Sequence, residues 1–183
     1  MKLIRTNLKD CFIIENSVFE DERGYFFEGF NQEKLEDLSG ISFEPKQLNQ
    51  SKSGYGVLRG LHFQLPAKSQ AKLISCIEGE VLDVAVDLRK ESESYKQYEA
   101  VKLNEKNKKS LFVPKGMAHG FLSLSKTAKL MYLVDEFYSP RHDYGIIYND
   151  ADINVDWGID SEKIILSKKD SQLPTLKDIK LDF

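Results

Sequence analysis

The feature that most narrows the fold of this chain is a succession of short strand-like runs with very little helical signal between them. The clearest is Val81-Leu82-Asp83-Val84-Ala85-Val86-Asp87-Leu88. Its two-residue period puts Leu82, Val84, Val86 and Leu88 on one face and Asp83 and Asp87 on the other. Further runs are Cys11-Phe12-Ile13-Ile14, Lys72-Leu73-Ile74-Ser75-Cys76-Ile77, Lys109-Ser110-Leu111-Phe112-Val113, Gly120-Phe121-Leu122-Ser123-Leu124 and Ala128-Lys129-Leu130-Met131-Tyr132-Leu133-Val134. Turn signals at Glu78-Gly79, Pro114-Lys115-Gly116 and Ser139-Pro140 separate them. The best helical candidate is residues 31–38, with Asn31 as N-cap and Glu33 and Glu36 early in the segment. Strands that follow one another without helical crossovers build an antiparallel sandwich or barrel rather than βαβ units, and a jelly roll able to hold a small ligand fits best. In such a barrel the Asp83/Asp87 face is a candidate pocket wall.

A chain of 183 residues is long enough to bury about two-thirds of its unfolded surface as one domain over 1–183. No Pro/Gly/Ser-rich linker or internal repeat divides it. The 26 basic residues nearly balance 29 acidic ones, which argues against a nucleic-acid-binding surface. No apolar run reaches signal-peptide or membrane-spanning length, so no membrane association is expected. Cys11 and Cys76 are too few for a disulfide framework and lack a zinc-site spacing, so they read as reduced thiols of a cytoplasmic protein.

Only three histidines, His62, His119 and His142, are available for acid-base or metal chemistry near neutral pH. His62 lies in Gly56-Val57-Leu58-Arg59-Gly60-Leu61-His62-Phe63-Gln64, three residues after Arg59, and His119 lies in Lys115-Gly116-Met117-Ala118-His119-Gly120. A histidine in an apolar stretch more often packs than reacts. His142, in Ser139-Pro140-Arg141-His142-Asp143, reads as a solvated loop residue. A metal needs three or four convergent ligands, and glutamine at position 64 leaves His62 without a nearby partner, so no metal is expected. Gly-x-Ser-x-Gly, Gly-x-Gly-x-x-Gly and phosphate-loop patterns are all missing. Cofactor-free acid-base chemistry remains, drawn from His, Tyr, Lys and Asp.

One set of segments, in order along nearly the whole chain, carries a more specific pattern. It comprises Asp21-Glu22-Arg23-Gly24-Tyr25-Phe26-Phe27-Glu28, Gln47-Leu48-Asn49-Gln50-Ser51, residues 56–64, Gln70-Ala71-Lys72-Leu73, residues 79–89 and residues 113–121. Tyr132 with Tyr138 and Ser167-Lys168-Lys169-Asp170 complete it. With these segments the chain resembles the dTDP-4-dehydrorhamnose 3,5-epimerase family. The resemblance implies an all-β, mainly antiparallel, cupin-type jelly-roll barrel with a few short helices, and an isomerase that needs no cofactor. The implied reaction converts dTDP-4-dehydro-6-deoxyglucose to dTDP-4-dehydro-L-rhamnose by removing and returning protons next to the ketone.

By the same resemblance His62 is the general base, Asp170 its partner carboxylate, Tyr132 the acid on the opposite face, and Lys72 the cation that stabilises the enolate oxygen. Arg23, Glu28, Gln47, Asn49, Arg59, His119, Asp143 and Lys169 match positions that contact the nucleotide diphosphate or the sugar, and Tyr138 matches the aromatic that stacks on the base. In the family the Arg23 segment is lent by a partner subunit, which implies a homodimer. Asp83, facing inward, is expected to orient His119. Asp143 stands where many members carry glutamate, and residues 66–69 and 91–96 depart from the family's usual turns. The alternatives are a single-site 3- or 5-epimerase on a related dTDP- or GDP-linked keto sugar, a ketoisomerase on the same barrel, and a non-catalytic sugar-nucleotide-binding protein.

Overall fold

The computed structural model of the chain describes residues 1–179. In chain order its elements are β1 (Lys2–Arg5), β2 (Phe12–Glu15), β3 (Val18–Asp21), β4 (Gly24–Phe27), α1 (Gln32–Ser39), β5 (Gln47–Gly54), β6 (Leu58–Gln64), β7 (Lys72–Glu78), β8 (Glu80–Asp87), β9 (Tyr98–Asn104), β10 (Lys109–Val113), β11 (Met117–Ser123), β12 (Thr127–Val134) and β13 (Asp143–Gly145), with four short 3-10 turns. One sheet has the order β1-β2-β10-β7-β12-β5, the second has β13-β6-β11-β8-β9, and β3 with β4 forms a separate hairpin. The pairings within the sheets are antiparallel, as the jelly-roll expectation requires. No helix among the described residues is long and apolar enough to cross a membrane.

Period-2 alternation accounts for the layering. On β8, Val81 and Ala85 enter the core between the two sheets, while Val84, Val86 and Leu88 pack outward under Trp157, Ile153 and Leu176 of the C-terminal segment. The outer face of the six-stranded sheet buries Phe12, Ile14, Leu73 and Phe112 against Leu35 of α1 and Phe43. That helix starts where expected, with the Asn31 side chain accepting the Lys34 N–H at 3.0 Å, and ends at Gly40 in the left-handed conformation.

Between the sheets the inward faces change character along their length. On β7 the inward residues run Lys72, Ile74, Cys76, and on β12 they run Tyr132, Leu130, Ala128, so each strand carries a polar end and an apolar end on the same face. The apolar ends form the interior core, and the polar ends leave an open cavity. Asp87 departs from the expected pocket wall: its carboxylate is wholly buried and bound by Arg89, Ser92 and Ser94. The strand expected from Gly120 begins at Met117, because Met117 and Ala118 pair with Asp87 and Val86 of β8, and this puts His119 in mid-strand.

Beneath the cavity β6 and β11 approach unusually closely at Gly60 and Gly120. A Cβ on Gly120 would lie 2.8 Å from the Arg59 carbonyl oxygen and 3.1 Å from Gly60 Cα, both backbone atoms that do not swing aside. Gly120→Ala is therefore expected to destabilise the fold by about 1–3 kcal/mol. Urea denaturation at constant slope reads this directly, and an unchanged midpoint would contradict the close approach.

Candidate active site

The open end of the barrel holds a cavity with two lobes of about 320 and 430 Å³, and both are lined by His62, Lys72, Tyr132 and Lys169. Gln47, Asn49, Tyr138 and Asp143 belong to the first lobe. Arg59, His119 and Asp170 belong to the second. His62 comes from the five-stranded sheet, whereas Lys72 and Tyr132 sit on neighbouring strands of the six-stranded sheet across from it.

His62 Nε2 lies 2.6 Å from Asp170 Oδ1. A carboxylate only accepts hydrogen bonds, so Nε2 carries the proton and Nδ1 is left as the basic nitrogen. Asp170 arrives from more than 100 residues away in sequence because the C-terminal segment is fastened to β6 by backbone bonds from Ile165 N to Gly56 O (2.8 Å) and from Leu58 N to Ile165 O (3.0 Å). The Ser167 hydroxyl then accepts the Asp170 N–H at 3.0 Å. Burial pushes the Asp170 carboxyl up. The His62 hydrogen bond and charge, Ser167 and Lys169 outweigh it, so the group stays below the ordinary carboxylate value and remains ionised.

Lys72 is buried, and its Nζ points at the His62 carbonyl oxygen from 3.4 Å. Burial pushes its ammonium down from 10.5 to about 8, with Asp83 and Asp143 acting in the opposite direction. The Tyr132 phenol is pushed up by burial and only partly drawn back by the Arg59 charge, so at neutral pH it holds its proton. The cavity therefore brings together a base with a fixed tautomer, a protonated phenol and a buried cation.

The remaining expected residues divide into three groups. Gln47 Nε2 donates to Asn49 Oδ1 (2.8 Å) and Gln47 Oε1 accepts the Tyr138 N–H (3.0 Å), which ties the inward face of β5 to the exposed ring of Tyr138 at the mouth. Asp143 accepts from the Tyr138 hydroxyl at 2.8 Å and from Lys169 Nζ at 2.5 Å. Arg59 reaches Ser53 Oγ at 3.1 Å, and His119 Nε2 lies 2.9 Å from the buried Asp83 Oδ1, the pairing expected from the inward register of β8. Arg23 and Glu28 line neither lobe: Arg23 is held by Asp21 at the tip of the β3–β4 hairpin, and Glu28 by Lys34 and Asn31. His142 is half-buried in its loop with Nδ1 2.8 Å from Ser139 Oγ.

Sequence reasoning assigned Gln64 no role of its own. Its amide donates to the carbonyls of Lys68 (2.6 Å) and Phe137 (3.2 Å) and accepts the Ser139 N–H (2.6 Å), which holds the loop that presents Tyr138. The signal available was its place, one inward step from His62 on the same strand.

Burying Lys72 opposes folding. An unfolded lysine titrates at its ordinary 10.5, so below about 8 folding buries a full charge; the penalty is complete there and fades as pH rises from about 8 to 10.5. Lys72→Met is expected to gain up to about 3 kcal/mol of stability at pH 7, with the gain shrinking at pH 10. Urea denaturation at the two pH values checks this, and a variant no more stable than wild type at pH 7 would contradict the burial penalty.

Comparison with known proteins agrees with the chemistry of the cavity. The model of the dTDP-4-dehydrorhamnose 3,5-epimerase family matches residues 5–178. The dTDP-4-dehydrorhamnose 3,5-epimerase of Salmonella typhimurium is 46% identical over 176 residues, covering 96% of each chain. The crystal structure of the enzyme of that name from Elizabethkingia anophelis superposes with a TM-score of 0.94 at 50% identity, covering 97% of each chain. A dTDP-6-deoxy-D-glucose-3,5-epimerase from Legionella pneumophila, solved in complex with dTDP-4-keto-L-rhamnose, gives the same TM-score at 40% identity, covering 98% of this chain and 94% of that one. With a barrel, a cavity and a chain-length match all in accord, this chain belongs to the dTDP-4-dehydrorhamnose 3,5-epimerase family.

Proposed function

We propose that the chain inverts both carbons that flank the ketone of a dTDP-linked 4-keto-6-deoxy sugar, converting dTDP-4-dehydro-6-deoxyglucose to dTDP-4-dehydro-L-rhamnose. The observation that carries this reading is the placement of His62, with Asp170, and Tyr132 on opposite walls of one cavity. A ketone acidifies the hydrogens on both neighbouring carbons, and inversion needs a base on one face and a proton donor on the other. His62 Nδ1 takes the proton, and Asp170 stabilises the imidazolium that forms. The electron pair moves onto the carbonyl oxygen to give an enolate, beside the preorganised charge of Lys72. Tyr132 returns a proton from the far face; the imidazolium then loses its proton to water and the phenolate takes one up, which restores both groups for the second carbon once the sugar ring presents it.

Binding follows the charge around the mouth. Arg59 and Lys169 supply cations for the diphosphate, Tyr138 a flat ring for the base, and Gln47, Asn49, His119 and Asp143 polar contacts to the sugar nucleotide. The setting proposed for this activity is cytoplasmic, with the buried thiols of Cys11 and Cys76 free.

Incubating the enzyme with the keto sugar nucleotide in deuterium oxide is expected to place label at C3 and C5. His62→Ala should lose exchange and inversion together by about 10²–10⁴-fold, and Tyr132→Phe should lose inversion by a similar factor while His62 still exchanges protons on its own face. Wild-type enzyme with no label at either carbon would overturn the reading. Label at a single carbon would reduce it to a mono-epimerase. The rate should also fall as pH rises through about 8, where Lys72 gives up its charge.

A homodimer is part of the proposal, in which each hairpin lends Arg23 and Glu28 to the partner's cavity. It is supported by the absence of both residues from the lining of their own chain's cavity and by the aromatic side chains the hairpin leaves in solvent, Phe19, Tyr25 and Phe26 at 67%, 56% and 70% exposure. Sedimentation equilibrium is expected to give twice the 21.0 kDa chain mass. Arg23→Ala should raise KM about tenfold or more with little change in kcat. A monomer at micromolar concentration would contradict this arrangement.

A further inference from the structure

The proposed function gives His62 and Asp170 the proton transfer and His119 a contact to the sugar nucleotide, and leaves Asp83, the partner of His119, without a task. His119 and Asp83 lie on adjacent strands, β11 and β8, joined between Nε2 and Oδ1 at 2.9 Å. Asp83 has no exposed surface, and its second oxygen, Oδ2, is buried with no hydrogen-bond partner. An unpaired carboxylate oxygen inside a protein is costly unless a cation nearby offsets its charge. Lys72 lines the same lobe as His119, the partner of Asp83, and its Nζ reaches the carbonyl of His62, the register partner of His119. It is buried, and its ammonium forms no ion pair among the described residues, having only the His62 carbonyl at 3.4 Å.

Other carboxylates around Lys72 are already engaged. Asp143 on β13 binds Tyr138 and Lys169, and Asp170 binds His62. The remaining titratable or charged groups of the same cavity are Arg59 on β6, His119 on β11 and Tyr132 on β12, none of which brings negative charge at neutral pH. Of the charges that favour the Lys72 ammonium against burial, Asp83 contributes most, ahead of Asp143.

We propose that Asp83 is a positioning residue of the epimerisation: one carboxylate oxygen holds His119 in the Nε2–H tautomer with Nδ1 free, and the other supplies buried negative charge to Lys72. The inference rests on the proposed function, in which Lys72 must be cationic to stabilise the enolate. Asp83 lines neither lobe of the cavity, so it acts through these two residues and touches no substrate.

Asp83→Asn keeps the shape and an oxygen for His119 but removes the charge. The test is the pH dependence of Lys72 acetylation by acetic anhydride, read by mass spectrometry of the Lys72 peptide without substrate. The midpoint is expected to fall by about one pH unit in Asp83→Asn. The basic limb of kcat should move down with it, and KM at pH 7 should stay within about twofold. Asp83→Glu, which restores the charge, should bring the midpoint back toward wild type. Asp83→Ser, which leaves more room, repeats the comparison if the asparagine is not accommodated. Superimposable labelling curves for wild type and the uncharged variants would overturn the proposal, as would a midpoint for Asp83→Glu as low as theirs. Labelling needs no turnover, so an enzyme inactive on the keto sugar would sink the functional reading alone, whereas an active enzyme with superimposable curves would sink this inference alone.

Discussion

An ammonium group held inside a β-barrel is the constraint around which the rest of the site is arranged. Taking Lys72 out of water opposes folding, and it is tolerable only where the protein supplies compensating polar groups. Those groups all come from the five-stranded sheet, across the barrel from Lys72 on β7: a backbone carbonyl from β6, a carboxylate from β8 and another from β13. The polar end of the barrel is therefore not an unfilled part of the core. It is a second interior whose charges are matched to one another, next to an apolar interior built from the same strands.

This division explains how the fold and the chemistry coexist. Ile74 and Leu130 anchor β7 and β12 in the apolar core, and two residues further along the same faces Lys72 and Tyr132 enter the cavity. Side chains placed on strands in this way keep their geometry better than side chains on loops. His62 and His119 share the benefit, since they are register partners on β6 and β11. Asp170 and Lys169 depend on a non-strand segment, which is fixed by backbone pairing with the start of β6 and by Trp157 and Leu176 packed beneath it, and Tyr138 depends on the loop that Gln64 holds.

The parts of this arrangement legible in the sequence were those with an apolar face. β8, β10 and β12 stood out because alternation or a short apolar run betrays a half-buried or buried strand, and α1 stood out because Asn31 is a good N-cap. β5 was not legible as a strand. Its inward residues are all polar, with Gln47, Asn49 and Ser51 lining the cavity and Ser53 receiving Arg59, so hydropathy has nothing to detect. The His62–Asp170 pair was equally hidden from local pattern, because the partners are joined by the fold and not by spacing; only the resemblance to a family connected them. Asp83 and Asp87 look equivalent in sequence. They part company in three dimensions because Asp87 meets an arginine and two serines at the strand end, whereas Asp83 meets His119 in the interior.

The proposed mechanism requires one geometry above all, with the reacting carbons between an imidazole on one wall and a phenol on the other. A crystal structure with bound dTDP-L-rhamnose, which lacks the ketone and so cannot turn over, tests it most directly. The predicted result is a sugar ring lying between His62 Nδ1 and Tyr132 Oη, with its C4 oxygen directed at Lys72 and the diphosphate against Arg59. A sugar ring bound with His62 and Tyr132 on the same face, or outside the cavity altogether, would contradict it.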